Sequence, residues 1–318
     1  MADMNEGLVR QPIFVPIPIA VVGFGRMGRR HVEALSRSPE FVLSMVVDSD
    51  PARVHEARAL GLRASTRLAD ACDLARAAVI AVPTESHAST FECLSNHGID
   101  CLVEKPLGVN LVQLDRMVAV AARNGTRGFA GYCERFHPAL AAFRTSLGNA
   151  PCHIEIHRTS SESMDRSFST DVMLDLLVHD LDWLYSIIDK EPVDAIVESS
   201  RTPMLQLEEV TCLLRFPGTV QVRLTASRIA TVRQRAVTVT HANGDLRSFH
   251  FDTSTDVAGE DNLTAQVRSL AAALRGLPSL IATLADARRV MSLVERLRDS
   301  DRQRLDECRM PCQAVHEL

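Results

Sequence analysis

The stretch Ile19-Ala20-Val21-Val22-Gly23-Phe24-Gly25-Arg26-Met27-Gly28 decides the fold of the N-terminal half of the chain. Its four leading apolar residues predict a short buried strand, and a G-x-G-x-x-G pattern follows where a helix would begin. Gly23 is expected to make the tight turn, Gly25 to let the backbone approach a pyrophosphate, and Gly28 to let the helix pack on the strand. Because free amides at a helix N-terminus bind phosphate groups, the spacing predicts a dinucleotide-binding site.

An acidic residue at the end of the next strand supports this prediction. Asp48 follows Val46-Val47, 20 residues after Gly28, and a carboxylate at about that distance accepts the ribose hydroxyls of NAD. The same carboxylate would repel the 2′-phosphate of NADP, so NAD is the expected cofactor. Arg53 lies in the helix that Asp50-Pro51 is expected to open, and we expect its side chain to be solvated.

Two patterns of strands divide the chain. Up to about Tyr132, apolar strand-like segments alternate with helical segments, which predicts a parallel, doubly wound sheet. Beyond it, residues 152–158 alternate between polar and apolar, and four further strand-like segments follow a long helix. The expected fold is therefore a Rossmann α/β domain over 13–132, then an α+β domain over 133–318 with a mainly antiparallel open sheet.

Composition excludes several classes of protein. The 318-residue chain has a formal net charge of −5, whereas nucleic-acid binders usually carry a basic excess. No apolar run reaches the roughly 20 residues needed to cross a bilayer. The eight cysteines are scattered, which favours reduced thiols and a cytoplasmic location. Cys308 and Cys312 have the spacing of a metal pair, but no second pair follows them, so no metal is expected.

The segment Val103-Glu104-Lys105-Pro106-Leu107 places a lysine directly after a short apolar strand. In a doubly wound domain, the carboxyl ends of the strands line the ligand cleft. Proline after the lysine fixes the local backbone. Lys105 is therefore a candidate for contact with the reacting group, although a surface lysine is the ordinary alternative.

A long helix, expected from about Val172 to Ile188, is apolar on most of its sides. Its interior polar residues Asp175, His179, Asp182 and Ser186 fall at i, i+4, i+7 and i+11, on one face. A buried polar stripe needs partners or a wet cleft. Because Asp175 and His179 are one turn apart, the carboxylate is expected to support an imidazolium. A histidine with a near-neutral pKa is a natural base for removing a hydroxyl proton.

Four segments together resemble the glucose–fructose oxidoreductase / inositol dehydrogenase family, written Gfo/Idh/MocA. Their order and spacing agree with that family over nearly the whole chain. The four are Gly23–Gly28, Ala81-Val82-Pro83-Thr84-Glu85-Ser86-His87, Glu104-Lys105-Pro106 and Asp175-Leu176-Leu177-Val178-His179-Asp180-Leu181-Asp182.

This resemblance implies that Lys105, Asp175 and His179 handle a substrate hydroxyl while NAD takes the hydride. It also implies a homo-oligomer, a dimer or tetramer, formed through the second-domain sheet. The implied cofactor contacts are Gly23, Phe24, Gly25, Arg26, Met27, Gly28, Asp48, Pro83, Thr84, His87, Glu104 and Lys105. The implied substrate contacts are Tyr132, Arg135, His137, Asp175, His179, Arg233 and Arg235.

The substrate is predicted less directly. Glu134-Arg135-Phe136-His137-Pro138 is similar to a segment of a subgroup that includes UDP-N-acetylglucosamine 3-dehydrogenases, with His137 in place of the usual asparagine. Arg233 and Arg235, with Arg228 nearby, can hold a diphosphate by bidentate contacts. We expect an NAD-dependent dehydrogenase of a sugar or nucleotide sugar. The alternatives are a keto-sugar or imine reductase of the same fold, and a non-catalytic dinucleotide sensor.

Overall fold

The computed structural model describes residues 15–147, 151–160, 170–203, 206–251 and 261–309, and builds them around two β-sheets. No helix in these ranges is long and apolar enough to cross a membrane. The two sheets confirm the predicted fold class, a Rossmann domain followed by a domain with a mainly antiparallel sheet.

The first sheet has seven strands in the order β13-β6-β5-β4-β1-β2-β3. Strands β1 to β6 run parallel, whereas β13 is antiparallel to β6. The order reverses between β1 and β4, and ligands bind at such a point, beyond the carboxyl ends of the strands. The strands are β1 (Ile17–Val22), β2 (Phe41–Val47), β3 (Ala64–Ser65), β4 (Ala77–Ile80), β5 (Asp100–Val103), β6 (Gly128–Ala130) and β13 (Ala282–Thr283).

Helices connect these strands and begin at sequence signals for helix starts. The Asp50 carboxylate accepts a hydrogen bond from the amide of Ala52, ahead of Pro51 in the first turn. The Asn110 side chain likewise accepts from the amide of Gln113. The helices are α1 (Arg26–Ser36), α2 (Pro51–Ala59), α3 (Ala69–Cys72), α4 (His87–Ser95) and α5 (Leu111–Asn124), with a 3-10 turn at Thr84–Ser86.

The second sheet has six strands in the order β12-β11-β7-β10-β9-β8. Every neighbouring pair is antiparallel except β7 and β10, because the chain leaves β7 through a long crossover that contains a helix. The strands are β7 (Pro151–Thr159), β8 (Asp194–Arg201), β9 (Glu209–Arg215), β10 (Gln221–Ser227), β11 (Gln234–His241) and β12 (Leu246–His250). Strand β12 was not expected from the sequence.

The helix expected at Val172–Ile188 has two parts. A π-helical turn, Met173–Leu177, leads into α7, Val178–Tyr185. Trp183 of α7 is buried with its ring edge-on to Phe143, at 5.4 Å between centroids. The other helices that follow the first five are α6 (Pro138–Ser146), α8 (Asn262–Leu274) and α9 (Leu284–Arg309), with a 3-10 turn at Cys133–Phe136.

The C-terminal segment returns to the first sheet. Strand β13 pairs with β6, α8 packs against α1, and α9 packs against both α5 and β8. Arg127 donates to the carbonyl oxygens of Ala273 and Leu274, which fixes the end of α8 to the start of β6. Strand β13 therefore belongs to the first sheet, although it follows the boundary predicted at 132/133.

Candidate active site

The glycine loop has the backbone features that its sequence predicts. Gly23 has φ of +97°, and a Cβ there would lie 2.4 Å from the carbonyl oxygen of Ala81, so only glycine fits. A Cβ on Gly28 would lie 1.8 Å from the carbonyl oxygen of Gly23, so this glycine allows the close contact between helix and strand. A Cβ on Gly25 would meet only Arg53, at 3.8 Å. The space beside Gly25 is therefore open to a ligand.

The N-terminus of α1 fits a bound pyrophosphate. Gly25 is the N-cap residue, and no side chain caps the helix. The first amides of a helix need partners from outside it. Arg26 is exposed and Met27 is half-buried beside this end, whereas Phe24 is buried and its ring carries the guanidinium of Arg29, 4.8 Å from the ring centre. Phe24 is therefore buried in the protein, whereas Arg26 is exposed beside the uncapped helix end.

Asp48 lies where the sequence places it, at the end of β2, but its carboxylate already has protein partners. Oδ2 accepts a hydrogen bond from the amide of Phe24 at 2.6 Å, and Oδ1 accepts from the amide of Asp50 at 2.9 Å. Arg53 also donates to Oδ2 from Nη1, at 3.3 Å. Arg53 is half-exposed, so the expectation of a solvated side chain holds only in part: it forms an ion pair with the residue expected to select NAD.

His87 joins two loops at the carboxyl ends of the strands. Its Nδ1 lies 3.0 Å from the carbonyl oxygen of Pro106, and its Nε2 lies 2.9 Å from that of Val82. Burial lowers the pKa of His87, so the ring is neutral and donates to one carbonyl at a time. His87 therefore fastens the loop that holds Pro83 and Thr84 to the loop that follows Lys105.

Glu104 pairs with a histidine that the sequence analysis did not select. His31 of α1 is fully buried, and its Nε2 lies 2.6 Å from Oε1 of Glu104. The other carboxylate oxygen accepts from the amide of Lys105 at 3.1 Å. Burial opposes ionisation, but His31 and Lys105 together lower the pKa of Glu104. The only sequence signal for His31 was a polar residue at a buried position of an amphipathic helix.

The structure brings Lys105 and Asp175 together from the two domains. Lys105 Nζ lies 2.9 Å from Oδ1 of Asp175 and 2.8 Å from its backbone carbonyl oxygen. Arg228 lies 3.5 Å from Oδ2. Burial opposes ionisation of Asp175, but Lys105 and Arg228 lower its pKa below the ordinary value. The Asp175 carboxylate therefore forms an ion pair with Lys105. The expectation that it supports an imidazolium on His179 was wrong.

His179 lies on α7 beside this pair and is surrounded by cations. Its ring is buried, and Nδ1 has no hydrogen-bond partner among the described residues. Burial, then the charges of Lys105, Arg158 and Arg235, hold the pKa of His179 well below its ordinary value of 6.5. Tyr132 contacts the ring edge-on, at 6.3 Å between centroids. His179 is therefore a neutral imidazole near neutral pH, with a proton acceptor to offer.

Two of the cations that lower the pKa of His179, Arg158 and Arg235, are held in ion pairs. Arg158 donates to both carboxylate oxygens of Asp180, at 2.7 and 2.8 Å. Arg235 donates to Glu134 from the neighbouring strand. Sequence reasoning missed Arg158 and Asp180, although Asp180 lies within the D-x-x-x-H-D-x-D segment and Arg158 ends the alternating strand.

The predicted substrate contacts therefore separate into groups. Arg135 donates to the fully buried Asp182 at 2.6 Å, and His137 caps α6 by accepting from the amide of Ala139 at 3.2 Å. Both side chains therefore bind groups of the protein itself. Arg235 is held by Glu134, whereas Arg233 is exposed just before β11. The two arginines thus do not form a free fork in this structure.

Known oxidoreductases are similar to this chain in sequence. Residues 17–132 match the Gfo/Idh/MocA model, described as an oxidoreductase family with an NAD-binding Rossmann fold. The UDP-N-acetylglucosamine 3-dehydrogenase of Acidithiobacillus ferrooxidans is 25% identical over 300 residues, 87% of this chain and 95% of that protein. The myo-inositol dehydrogenase Hyg17 of Streptomyces leeuwenhoekii is 28% identical over 208 residues, 60% of this chain and 62% of that one.

Solved structures share the fold of both domains. The Acidithiobacillus enzyme superposes with a TM-score of 0.79 at 24% identity, over 90% of this chain and 98% of that one. The WlbA dehydrogenase of Bordetella pertussis, solved in complex with NADH and UDP-GlcNAcA, gives 0.76 at 16% identity, over 91% and 97%. Residues 17–132 thus match an oxidoreductase family with an NAD-binding Rossmann fold, and the chain shares the two-domain fold of these dehydrogenases.

Proposed function

We propose that the protein is an NAD-dependent dehydrogenase that oxidises a ring hydroxyl of a sugar or nucleotide sugar. The observation that carries the proposal is the Lys105–Asp175 pair, which spans the two domains at 2.9 Å beside a buried, neutral His179. A cationic donor and a neutral base at one point suit the removal of a hydroxyl proton. Cofactor sensing alone would not need either group.

The proposed chemistry divides the work between the cofactor and the chain. NAD, when bound, accepts the hydride from the carbon that carries the hydroxyl. Lys105 donates a hydrogen bond to the substrate oxygen, with its ammonium oriented by Asp175. His179 accepts the hydroxyl proton, and the neighbouring cations make the resulting imidazolium unstable, so the proton moves on to solvent. The same groups run the reverse reaction, which covers the alternative of a keto-sugar reductase.

The proposed pH dependence follows from the low pKa of His179. A base is active when deprotonated, and this pKa lies well below 6.5 in the free enzyme. His179 therefore remains neutral at pH values below 6.5 at which an ordinary histidine would already be protonated. We expect kcat/KM for oxidation to show no loss attributable to a histidine of ordinary pKa near pH 6.5. A half-maximal point at 6.5 or above that disappears in His179→Gln would contradict this assignment.

A nucleotide sugar is the proposed substrate class, with support from relatives rather than from a formed diphosphate site. The similar Acidithiobacillus protein is named as acting on UDP-N-acetylglucosamine. Arg233 is exposed and available for a diphosphate, whereas Arg235 would have to leave Glu134 to take part. We therefore propose that Arg233 contributes more than Arg235 to diphosphate binding.

The test is a substrate screen that follows NADH absorbance with UDP-N-acetylglucosamine, N-acetylglucosamine and myo-inositol. His179→Gln and Lys105→Met should each lower kcat by about 100-fold or more, the usual scale for a lost acid–base group. NADH binding should change much less in His179→Gln. Arg302→Ala, an exposed change in α9, serves as the matched control.

Calorimetry then addresses the substrate class. In the presence of NADH, the nucleotide sugar should bind more tightly than the free sugar, and Arg233→Ala should weaken only the former. Equal binding of myo-inositol would replace the nucleotide-sugar proposal with a polyol dehydrogenase. Normal NADH binding without turnover of any sugar, in either direction, would favour the non-catalytic sensor.

A further inference from the structure

Three side chains that metals commonly use meet on the Rossmann domain, away from the candidate active site. Cys72 ends α3, and Cys93 and His97 lie one helical turn apart on and just after α4. One ligand atom from each lies within 4.8 Å of the others. The cysteine spacing did not indicate this group, because Cys72 and Cys93 belong to different helices, one before β4 in the sequence and one after it.

The three groups are arranged for coordination. The two thiols are half-buried and His97 is exposed, so a cation can reach them from solvent. Nδ1 of His97 lies 2.8 Å from the carbonyl oxygen of Cys93. Donation from Nδ1–H to this carbonyl leaves the lone pair on Nε2, and such an arrangement commonly orients a metal-ligating histidine. Burial, and then the neighbouring Cys93, raise the pKa of the Cys72 thiol to about 11.

We propose that Cys72, Cys93 and His97 bind one Zn²⁺ ion. Thiolate and imidazole ligands suit this borderline-soft cation, and water completes a tetrahedral set of four. Each thiol loses its S–H proton to solvent when its sulfur binds the metal, so two protons are released and the two thiolates balance the dipositive charge. The nearby charge of Asp73, which also raises the pKa of Cys72, favours a cation.

The position of this site separates it from the candidate active site. His87 starts α4 beside the catalytic loops, and Cys93 lies six residues further along, roughly 9 Å down the helix axis. Cys72 precedes β4, at the amino end of a strand whose carboxyl end borders the candidate cofactor site. The ion would tie α3 to α4 beneath the sheet.

Cobalt provides the direct test, since Co²⁺ bound to thiolates shows charge-transfer absorption in the near ultraviolet. The full-length protein, reduced with a phosphine and freed of metal by chelator, is titrated with Co²⁺ and then with Zn²⁺. We expect one Co²⁺ per chain with thiolate bands, displacement by Zn²⁺, and a rise in Tm with Zn²⁺. Cys72→Ser and Cys93→Ser should each abolish the bands, and His97→Ala should weaken metal binding at least about tenfold.

Matched variants keep the result interpretable. Cys308→Ser, at an exposed cysteine in α9, should retain the bands and the Zn²⁺-dependent rise in Tm. NADH binding should be unchanged in Cys72→Ser and Cys93→Ser, which shows that the Rossmann domain is folded. Absence of thiolate bands in the unaltered reduced protein would overturn the proposal. So would loss of the bands in Cys308→Ser with retention in Cys93→Ser.

Discussion

Asp48 and Arg53 show how single residues bear on the choice of cofactor. Asp48 is nearly buried, and its Oδ2 accepts from both the Phe24 amide and Arg53. The carboxylate repels a 2′-phosphate, whereas the guanidinium would attract one. Because the ion pair keeps Arg53 turned toward Asp48, we propose that repulsion of the 2′-phosphate by Asp48 outweighs its attraction to Arg53. The proposed preference for NAD over NADP rests on this balance.

Changing these two residues in turn tests the preference. Asp48→Ala should weaken NADH binding and release Arg53. The ratio of the NADPH and NADH dissociation constants should fall by about tenfold, the scale of one charge-assisted hydrogen bond. Adding Arg53→Ala should remove the gain in NADPH binding. Quenching of protein or cofactor fluorescence gives both dissociation constants. Tighter binding of NADPH than NADH by the unaltered protein would contradict the preference.

We propose that His31 acts through Glu104 as a positioning residue for Lys105. Removing the imidazole in His31→Ala leaves the buried Glu104 carboxylate without its closest partner, at a cost of about 3 kcal/mol or more. We expect a lower Tm and a lower kcat, whereas His31→Gln keeps a hydrogen-bond donor and should recover part of both. Because the pKa of Glu104 is lowered in the folded state, its pairing stabilises the protein above pH 4.5 and is lost as pH falls through the folded pKa.

Denaturant unfolding of these variants at several pH values gives the measurement. The stability difference between the unaltered protein and Glu104→Gln should shrink as the solution is acidified. If the difference were the same at pH 7 and at pH 4, the carboxylate charge would have no part in the pairing. An unchanged kcat in His31→Ala would restrict His31 to a structural role.

At the scale of elements, the π-helical turn before α7 carries Asp175 and sets the site. Such turns insert an extra residue and are frequent at functional positions. Asp175 meets Lys105 and Arg228 from this turn, and α7 begins directly after it with His179 in its first turn. The polar stripe predicted from the sequence is present, and its other members each have their own partner. Asp182 pairs with Arg135, and Ser186 accepts a hydrogen bond from Arg144.

The contact between α7 and the turn Cys133–Phe136 depends on one buried ion pair. Burial raises the pKa of Asp182 to about 7 against the opposing effect of Arg135, 2.6 Å away. Arg135→Met should therefore destabilise the fold by about 3–5 kcal/mol at pH 8, because it strands a buried charge. A folded pKa above the unfolded value of 3.8 means that stability falls as pH rises through the folded pKa, so the variant should recover at lower pH.

Chemical unfolding across pH 5 to 8 measures this effect. Arg233→Met serves as the control because it removes an exposed arginine. It should change the free energy of unfolding by no more than about 0.5 kcal/mol. If Arg135→Met were as stable as the unaltered protein but failed to bind substrate, Arg135 would return to the substrate site that its sequence motif predicts.

For the whole molecule, the return of the C-terminal segment locks the two domains together. A Cβ on Gly128 of β6 would lie 2.5 Å from Leu284, at the start of α9. Gly128→Ala should therefore destabilise the protein by about 1–3 kcal/mol through overpacking. Leu284→Ala alone opens a cavity, at a cost of about 2–5 kcal/mol. The double variant should lose less stability than the two single variants added together, because the added methyl group can fill part of the cavity left by Leu284.

A double-mutant cycle from denaturant unfolding gives the coupling energy between Gly128 and Leu284. Additive losses would show that α9 does not rest on β6 in solution. The homo-oligomer expected through the second-domain sheet stays a proposal at this scale, and sedimentation of the full chain would test it.

The sequence by itself predicted the main elements in their order and the segment expected to hold the nucleotide. Local signals carried this information: the glycine spacing, the helix start at Asp50, and the acidic residue at the end of β2. Such signals depend on backbone geometry within a few residues, so periodicity and spacing record them directly. Lys105 was predicted in the same way, because it directly follows a strand whose carboxyl end is expected to border the ligand cleft.

Only the tertiary structure decided which side chains pair. It placed Asp175 on Lys105 rather than on His179, used Arg135 and His137 inside the protein, and brought Cys72 to Cys93 and His97. It also returned β13 to the first sheet. These contacts join residues far apart along the chain, where no local pattern fixes distance or direction. Which charge a buried carboxylate meets depends on how whole elements pack, because the packing decides which cation is near enough to offset the cost of burial.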